Sequence, residues 1–214
     1  DVLERYVNAA KVHQADVVVR ITGDCPLVDA GLVDECIRRF HTEHVDYFSN
    51  TSPPSYPDGL DIEVVKLTAL EQAMSQSDKP LDHEHVTPYI RESVRFTTSG
   101  MHNNDDLSAL RWTVDEPADF EVVTNVFTYF SPNIYFTWQQ VLELQLIQPR
   151  LFAANQQLIR NEGSTIGTGQ KLWKRAKQVI PGGNMLLSKR AEMFLPEQWP
   201  AYFSKAKGCK VWDL

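Results

Sequence analysis

The run Val17-Val18-Val19-Arg20-Ile21-Thr22-Gly23-Asp24-Cys25-Pro26-Leu27 constrains the fold more than any other stretch. Its continuous β-branched residues predict a strand buried on both faces, the pattern of a parallel sheet. The run breaks off at Gly-Asp and then Pro, so a carboxylate stands where the strand stops and a loop begins. In open α/β sheets, ligands bind at the carboxyl ends of strands. An acid there, beside a glycine that lets a ligand come close, is a candidate Mg²⁺ anchor for a phosphate-bearing substrate. Asp24 is the residue around which a function is to be sought.

The flanking sequence predicts alternating helices and strands. Residues 2–13 read as an amphipathic helix, 16–22 as the buried strand, and Asp29 as the N-cap of a helix from Ala30. Residues 45–49 form a short strand ending at Asn50, and the Pro-rich stretch 51–59 is a loop. Residues 60–65 alternate apolar and acidic side chains, the signature of a half-exposed strand with Asp61 and Glu63 on one face. Helices follow at 67–74, from Pro80 to about Arg91, at 117–130 and at 138–146, with strands at 94–98 and 109–114. This order is that of a doubly wound α/β domain.

Composition narrows the class. With 214 residues, 43% of them hydrophobic, the chain is large enough for one or two globular domains. No run approaches the roughly 20 apolar residues of a membrane span, and no basic start leads into an apolar signal core. Three cysteines, Cys25, Cys36 and Cys209, lie far apart without CxxC spacing, which points to a reducing, cytoplasmic setting. Cys25 reads as a packed thiol, not a nucleophile.

Charge is uneven. Residues 160–214 carry 10 Lys/Arg against 4 Asp/Glu, and the first 159 residues carry 11 against 24. That shift predicts two units joined near residue 160. The acidic first unit argues against a nucleic-acid partner, and the basic residues of the tail alternate with apolar ones as on a solvated helix face. The expected division is a first domain over 1–150, a polar, Gly-rich linker over 151–170, and the start of a second domain over 171–214. There a short helix at 172–180 stops at Pro181-Gly182-Gly183, and irregular chain follows.

Two strand-terminal carboxylates stand out, Asp24 after Arg20-Ile-Thr-Gly and Asp115 after Arg111-Trp-Thr-Val. Mg²⁺ takes one or two carboxylates plus substrate phosphates, a need that two aspartates converging on one rim would meet. Each acid also reads as a helix N-cap or turn residue, since Asp115-Glu116-Pro117 is a good helix start. Tyr56-Pro-Asp58-Gly-Leu-Asp61-Ile-Glu63 crowds three acids, which suit either a cation or polyol site or a solvated strand face. His83-Glu84-His85 does not suit zinc, because i and i+2 point apart on a helix; a hydrogen-bonding role for Glu84 or His85 fits better. No GxSxG, P-loop or complete GxGxxG occurs, so hydrolase and NTPase chemistry have no motif support.

Six segments in order, Asp1-Val-Leu-Glu-Arg-Tyr6, Val19-Arg-Ile-Thr-Gly-Asp-Cys-Pro-Leu27, Asp46-Tyr-Phe-Ser-Asn50, Tyr56-Pro-Asp-Gly-Leu-Asp-Ile-Glu63, Glu84-His-Val-Thr-Pro-Tyr89 and Arg111-Trp-Thr-Val-Asp115, resemble the cytidylyltransferases of spore-coat polysaccharide biosynthesis. The resemblance covers about residues 1–150. It implies a nucleotide-diphospho-sugar transferase-like, Rossmann-like α/β fold with a mostly parallel sheet. It also implies transfer of CMP from CTP to a sugar or sugar acid, with release of pyrophosphate. By it Asp24 and Asp115 are the Mg²⁺ ligands and catalytic acids. Arg20, Asn50, Tyr56, Asp58, Asp61, Glu63, Glu84, His85 and Arg111 bind substrate, and the full-length protein is a homodimer.

Such enzymes open with a strand and a triphosphate-binding loop of QARxGSxRLPGK type, which is not found here. The sheet is therefore expected to lack its first strands, and the fragment alone to be inactive and poorly stable. Residues 171–214, with Leu172-Trp-Lys-Arg-Ala176, Ile180-Pro-Gly-Gly-Asn184 and Val211-Trp-Asp213, resemble the opening of a class III, glutamate-1-semialdehyde-type aminotransferase. That implies a pyridoxal phosphate enzyme whose cofactor residues lie beyond Leu214. Both ends read as cut, and the leading expectation is an internal piece of a bifunctional enzyme. Two other classes stay open for the first domain: a metal-dependent glycosyltransferase using a nucleotide sugar, and a non-catalytic sugar-binding or scaffold domain.

Overall fold

The computed structural model describes residues 1–158, 175–177 and 180, and as backbone strands 203–207 and 210–213. The chain divides into two compact units, Asp1–Arg160 and Asn161–Leu214. In the first, α1 (Val2–Val12) starts where the Asp1 carboxylate accepts the Glu4 N–H, and it buries Leu3, Val7 and Ala10 at helical spacing. Then come β1 (Val17–Arg20), α2 (Ala30–Glu43), β2 (Tyr47–Ser49), β3 (Glu63–Lys66) and α3 (Leu67–Gln76). The unit continues with α4 (Pro80–His85), α5 (Pro88–Glu92), β4 (Thr98–Gly100), α6 (Pro117–Phe130), α7 (Trp138–Ile147) and a 3₁₀ helix at Pro149–Asn155. In the second unit, β5 (Phe203–Lys207) and β6 (Lys210–Asp213) pair antiparallel.

The four strands of the first unit lie in the order β1-β3-β2-β4. β3 runs antiparallel to both β1 and β2, while β2 and β4 are parallel. Side chains alternate across this sheet into two cores. Phe48, Ile62 and Val64 pack with Leu32 and Phe40 of α2, Val122 and Val126 of α6, and Leu144 of α7. Tyr47 and Val65 pack on the other side with Leu3 and Val7 of α1, Leu70 of α3 and Ile90 of α5. Each such fully buried side chain contributes about 1.5–3 kcal/mol. The pairings Arg20 with Glu63, Ser49 with Glu63 and Ser49 with Gly100 form one row across the sheet. This row marks the carboxyl ends of β1, β2 and β4, the end from which the candidate site is built.

Several expectations are corrected. The sheet is mixed: β1, β2 and β4 share a direction, but β3 inserts against them, leaving a single parallel ladder in this sheet. β1 is half-buried at all four positions because it forms one edge of the sheet. Residues 60–62 precede β3, and Glu63 is buried, so the alternating pattern does not mark a solvated face. The helix expected from Pro80 to Arg91 is broken at Val86, as Pro88 has no N–H to give the Glu84 carbonyl. Residues 109–114 form no regular strand and pair only through an isolated Asp58–Arg111 bridge, and β4 lies at 98–100, not at 94–98. Residues 151–155, expected in a linker, continue the 3₁₀ helix, with Phe152 and Asn155 buried. The irregular tail expected after Gly183 contains the β5–β6 pair. Of the helix expected at 172–180, residues 175–177 and 180 are described; 175–177 are helical and the Ile180 N–H donates to the Ala176 carbonyl at 2.7 Å, while most of the 171–214 segment lies outside the described residues.

Candidate active site

Asp24 stands in a turn after β1, partly buried. The segment ending at Asp115 comes directly alongside. The Val114 N–H donates to the Asp24 carbonyl at 2.8 Å, and the Thr113 hydroxyl donates to the same oxygen at 3.1 Å. Two chain segments far apart in sequence are thereby joined at their acids. Neither acid caps a helix. α2 is capped by Asp29, whose carboxylate accepts the Leu32 and Trp138 N–H groups, both at 2.9 Å. α6 is capped by Glu116 in a reciprocal capping box with Asp119. Asp24 Oδ1 receives a long contact from Cys25 Sγ, 3.8 Å, and the Asp115 side chain is 54% exposed. These are the acids available to a cation at this junction.

Arg111 organises the ground beneath Asp115. Its side chain is only 8% exposed and meets three carboxylates. Nε donates to Asp119 Oδ1 at 2.9 Å and one terminal nitrogen to Asp119 Oδ2 at 2.8 Å, a bidentate fork. That same nitrogen donates to Asp115 Oδ2 at 2.9 Å, and the other reaches Asp58 at 3.3 Å. Asp119 is fully buried and also accepts Asn155 Nδ2 at 2.8 Å and the peptide N–H groups of Asp115 and Glu116 at 3.1 and 3.0 Å. Burial alone would raise the Asp119 carboxyl; bonds from Arg111, Asn155 and the two peptides outweigh it and bring it down to about 2. The Arg111 guanidinium is held charged, first by its bonds to Asp119.

A second buried polar cluster lies on the row across the sheet. Glu63 accepts the Tyr47 and Thr87 hydroxyls, both at 2.6 Å, and pairs closely with Arg20 at the end of β1. Arg20 Nε is buried with no hydrogen-bond partner among the described residues. Burial and then Glu63 push the Tyr47 phenol up. Thr87 is delivered to Glu63 by a γ-turn: its N–H donates to the His85 carbonyl at 2.9 Å across Val86, at φ 75° and ψ −52°. Positive φ is strained for a β-branched residue.

The remaining candidates divide. Asn50 is buried and spent on the backbone, donating to the Leu60 carbonyl at 2.7 Å and accepting the Ile62 N–H at 2.9 Å. Tyr56 is buried edge-to-face on Trp138, with centroids 5.5 Å apart. The loop bearing Asp58 and Asp61 passes so close to the 112–113 backbone that only glycine fits at Gly59: φ is +103°, and a Cβ would lie 2.6 Å from Thr113 N. Asp61 comes near the Asp24 turn, since its peptide and carboxylate both act on the Cys25 thiol, which burial above all pushes up to about 11. Glu84 and His85 are exposed on α4, and neither hydrogen-bonds to the Arg111 acids. The structure thus brings Asp24, Asp58, Asp61, Arg111 and Asp115 together, sets Arg20 and Glu63 in a neighbouring cluster, and leaves Glu84 and His85 apart.

Sequence reasoning missed Asp119, Asn155, Tyr47 and Thr87. Asp119 had a signal, its i,i+4 spacing from Asp115 and position three after Glu116; Asn155, in a stretch read as linker, had none. A cavity of about 640 Å³ opens beside Asp24, lined by Gly23, Pro26, Val114 and the Phe120, Val123 and Phe127 face of α6.

The mixed α/β fold with its four-stranded sheet is that of the nucleotidyltransferase-like class, as its similarity to a solved structure shows. The first unit is similar to a solved cytidylyltransferase from Leptospira borgpetersenii serovar Hardjo-bovis, with a TM-score of 0.68 and 30% identity, covering 71% of this chain and 65% of that one. The cytidylyltransferase family model matches residues 1–136, and the chain belongs to that family. It is 35% identical over 134 residues to an uncharacterized protein of Methanocaldococcus jannaschii, covering 61% of this chain and 54% of that protein. It is 29% identical over 130 residues to the spore coat polysaccharide biosynthesis protein SpsF of Bacillus subtilis, covering 59% and 53%. The chain spans about half the length of these curated relatives. Among the described residues no helix is long and apolar enough to cross a membrane.

Proposed function

We propose that the first unit, within its full-length protein, transfers CMP from CTP to a hydroxyl of a sugar or sugar acid with release of pyrophosphate. The observation that carries this reading is the backbone junction between Asp24 and Val114, which brings the segment ending at Asp115 against the turn after β1. Membership of the cytidylyltransferase family and similarity to SpsF support CMP transfer and a role in surface polysaccharide synthesis.

Asp24 and Asp115 are the residues that would hold Mg²⁺. Their donor chemistry fits, since carboxylate oxygens suit a hard cation. The space fits too, because a Cβ at Gly23 would meet nothing within 4 Å. Among the described residues no three His, Cys, Asp or Glu side chains gather as a metal cage, so substrate and water would complete such a site. Bound there, the ion would neutralise charge on the triphosphate. Asp58, paired with Arg111, and Asp61, beside Cys25, would serve the sugar side, with Arg20 and Glu63 supporting it. The segment 171–214 is proposed, on sequence resemblance alone, as the opening of a pyridoxal phosphate-dependent aminotransferase, and the full-length protein as a cytoplasmic homodimer.

The test is to supply the full-length protein with Mg²⁺, CTP and a panel of sugars and sugar acids while following pyrophosphate. Sugar-dependent release of pyrophosphate is expected. Turnover of a preformed nucleotide sugar without pyrophosphate would identify a glycosyltransferase, and no turnover of either would leave a binding domain.

A further inference from the structure

Asp115 does not stand by itself. Its peptide N–H donates to Asp119 Oδ2, and its carboxylate is held by the same Arg111 nitrogen that donates to Asp119 Oδ2. Asp119 therefore fixes both the main chain and the side-chain partner of Asp115. Asp119 is itself fixed by Asn155, whose Nδ2 donates at 2.8 Å to Asp119 Oδ1 and at 3.1 Å to the Arg111 carbonyl. Both are buried, Asp119 with no exposed surface and Asn155 at 4%. Asn155 lies in the 3₁₀ helix, beyond the residues 1–136 that match the family model.

Charge makes the arrangement effective. Asp119 takes the bidentate face of Arg111 and so balances the buried guanidinium within one pair. The single bond from Arg111 to Asp115 orients that carboxylate without consuming its charge, for the pair is already neutral. The Asp115 side chain is 54% exposed and so stays accessible from solvent. Partners of this kind, one step removed from a metal carboxylate, set ligand orientation and typically carry 10–100-fold of metal affinity.

We infer that Asp119 and Asn155 are positioning residues for Asp115, and that the 3₁₀ helix Pro149–Asn155 is part of the support of the cation site. This rests on the reading of Asp24 and Asp115 as metal carboxylates.

The test is Mn²⁺ binding to the full-length protein in the presence of CTP, followed by electron paramagnetic resonance. It is paired with the Mg²⁺ dependence of pyrophosphate release. Asp115→Asn is the reference variant, and Asp119→Asn and Asn155→Ala are the probes. Asn155→Ala removes no charged group and keeps the inference testable where Asp119→Asn fails to fold. Each folded probe is expected to weaken Mn²⁺ binding roughly 10-fold and to raise the Mg²⁺ requirement by a similar factor. Most of kcat should return at saturating metal, which a general loss of structure would not allow. If Asp115→Asn weakens Mn²⁺ binding while the folded probes bind it as the parent does, the positioning role is overturned and the metal reading stands. If Asp24→Asn and Asp115→Asn both leave Mn²⁺ binding unchanged, the metal reading itself fails, and the inference with it.

Discussion

At Gly23 the fold makes no demand for glycine: φ lies outside the left-handed region, and a Cβ would meet nothing within 4 Å. Gly59 is the opposite, with φ +103° and backbone atoms at 2.6 Å. Packing explains one glycine; the other has open space beside it, which the proposed function gives to CTP. Gly23→Ala should therefore leave the melting temperature unchanged or raise stability by about 0.4–1 kcal/mol, yet weaken CTP-dependent turnover in the full-length protein. Thermal unfolding and KM for CTP measured on one preparation check both halves. Retained turnover with a normal KM would show that no ligand approaches this face of Asp24. Asp24 and Asp115 were legible as residues because each stands where an apolar run stops, and Arg111 through the motif it opens, Arg111-Trp-Thr-Val-Asp115. Asp119 carried only the local signal of its place in the capping box, and Asn155 none, since buried polar pairing depends on what lies opposite in space.

Among the elements, helices were read best, because the periodicity that betrays them is local. The Leu3, Val7, Ala10 stripe and the Asp29 cap are examples. Strands were read less well. A β-branched run such as 17–19 carries no record of whether its neighbour runs with it or against it, and β3 runs against it. Segment 109–114 has strand composition but is held by contacts with residues 24 and 58 in place of a regular ladder. Residues 151–155 of the 3₁₀ helix read as linker because polar, Gly-rich chain follows them, yet Phe152 is 1% exposed in the core. Phe152→Ala should destabilise the first unit by about 3–5 kcal/mol, measurable by urea unfolding. A change within about 0.5 kcal/mol, usual for surface substitutions, would return residues 151–155 to the linker.

On the scale of the whole molecule, the mixed sheet, the junction at Asp24 and the Arg111 fork form one argument. The turn after β1 carries Asp24, backbone bonds join it to the segment that ends at Asp115, and the buried Arg111 guanidinium balances Asp58, Asp115 and Asp119. The claim at its centre is that Asp24 and Asp115 act as a pair on one cation. A double-mutant cycle on the full-length protein tests it most directly, with Asp24→Asn, Asp115→Asn and the double variant compared by kcat/KM for pyrophosphate release. Each single change should cost roughly 100-fold or more, the scale of losing one stabiliser of transition-state charge. Residues that serve one ion should then show a double variant scarcely worse than either single. If the two losses instead multiply in full, the acids act independently, and the shared site is contradicted.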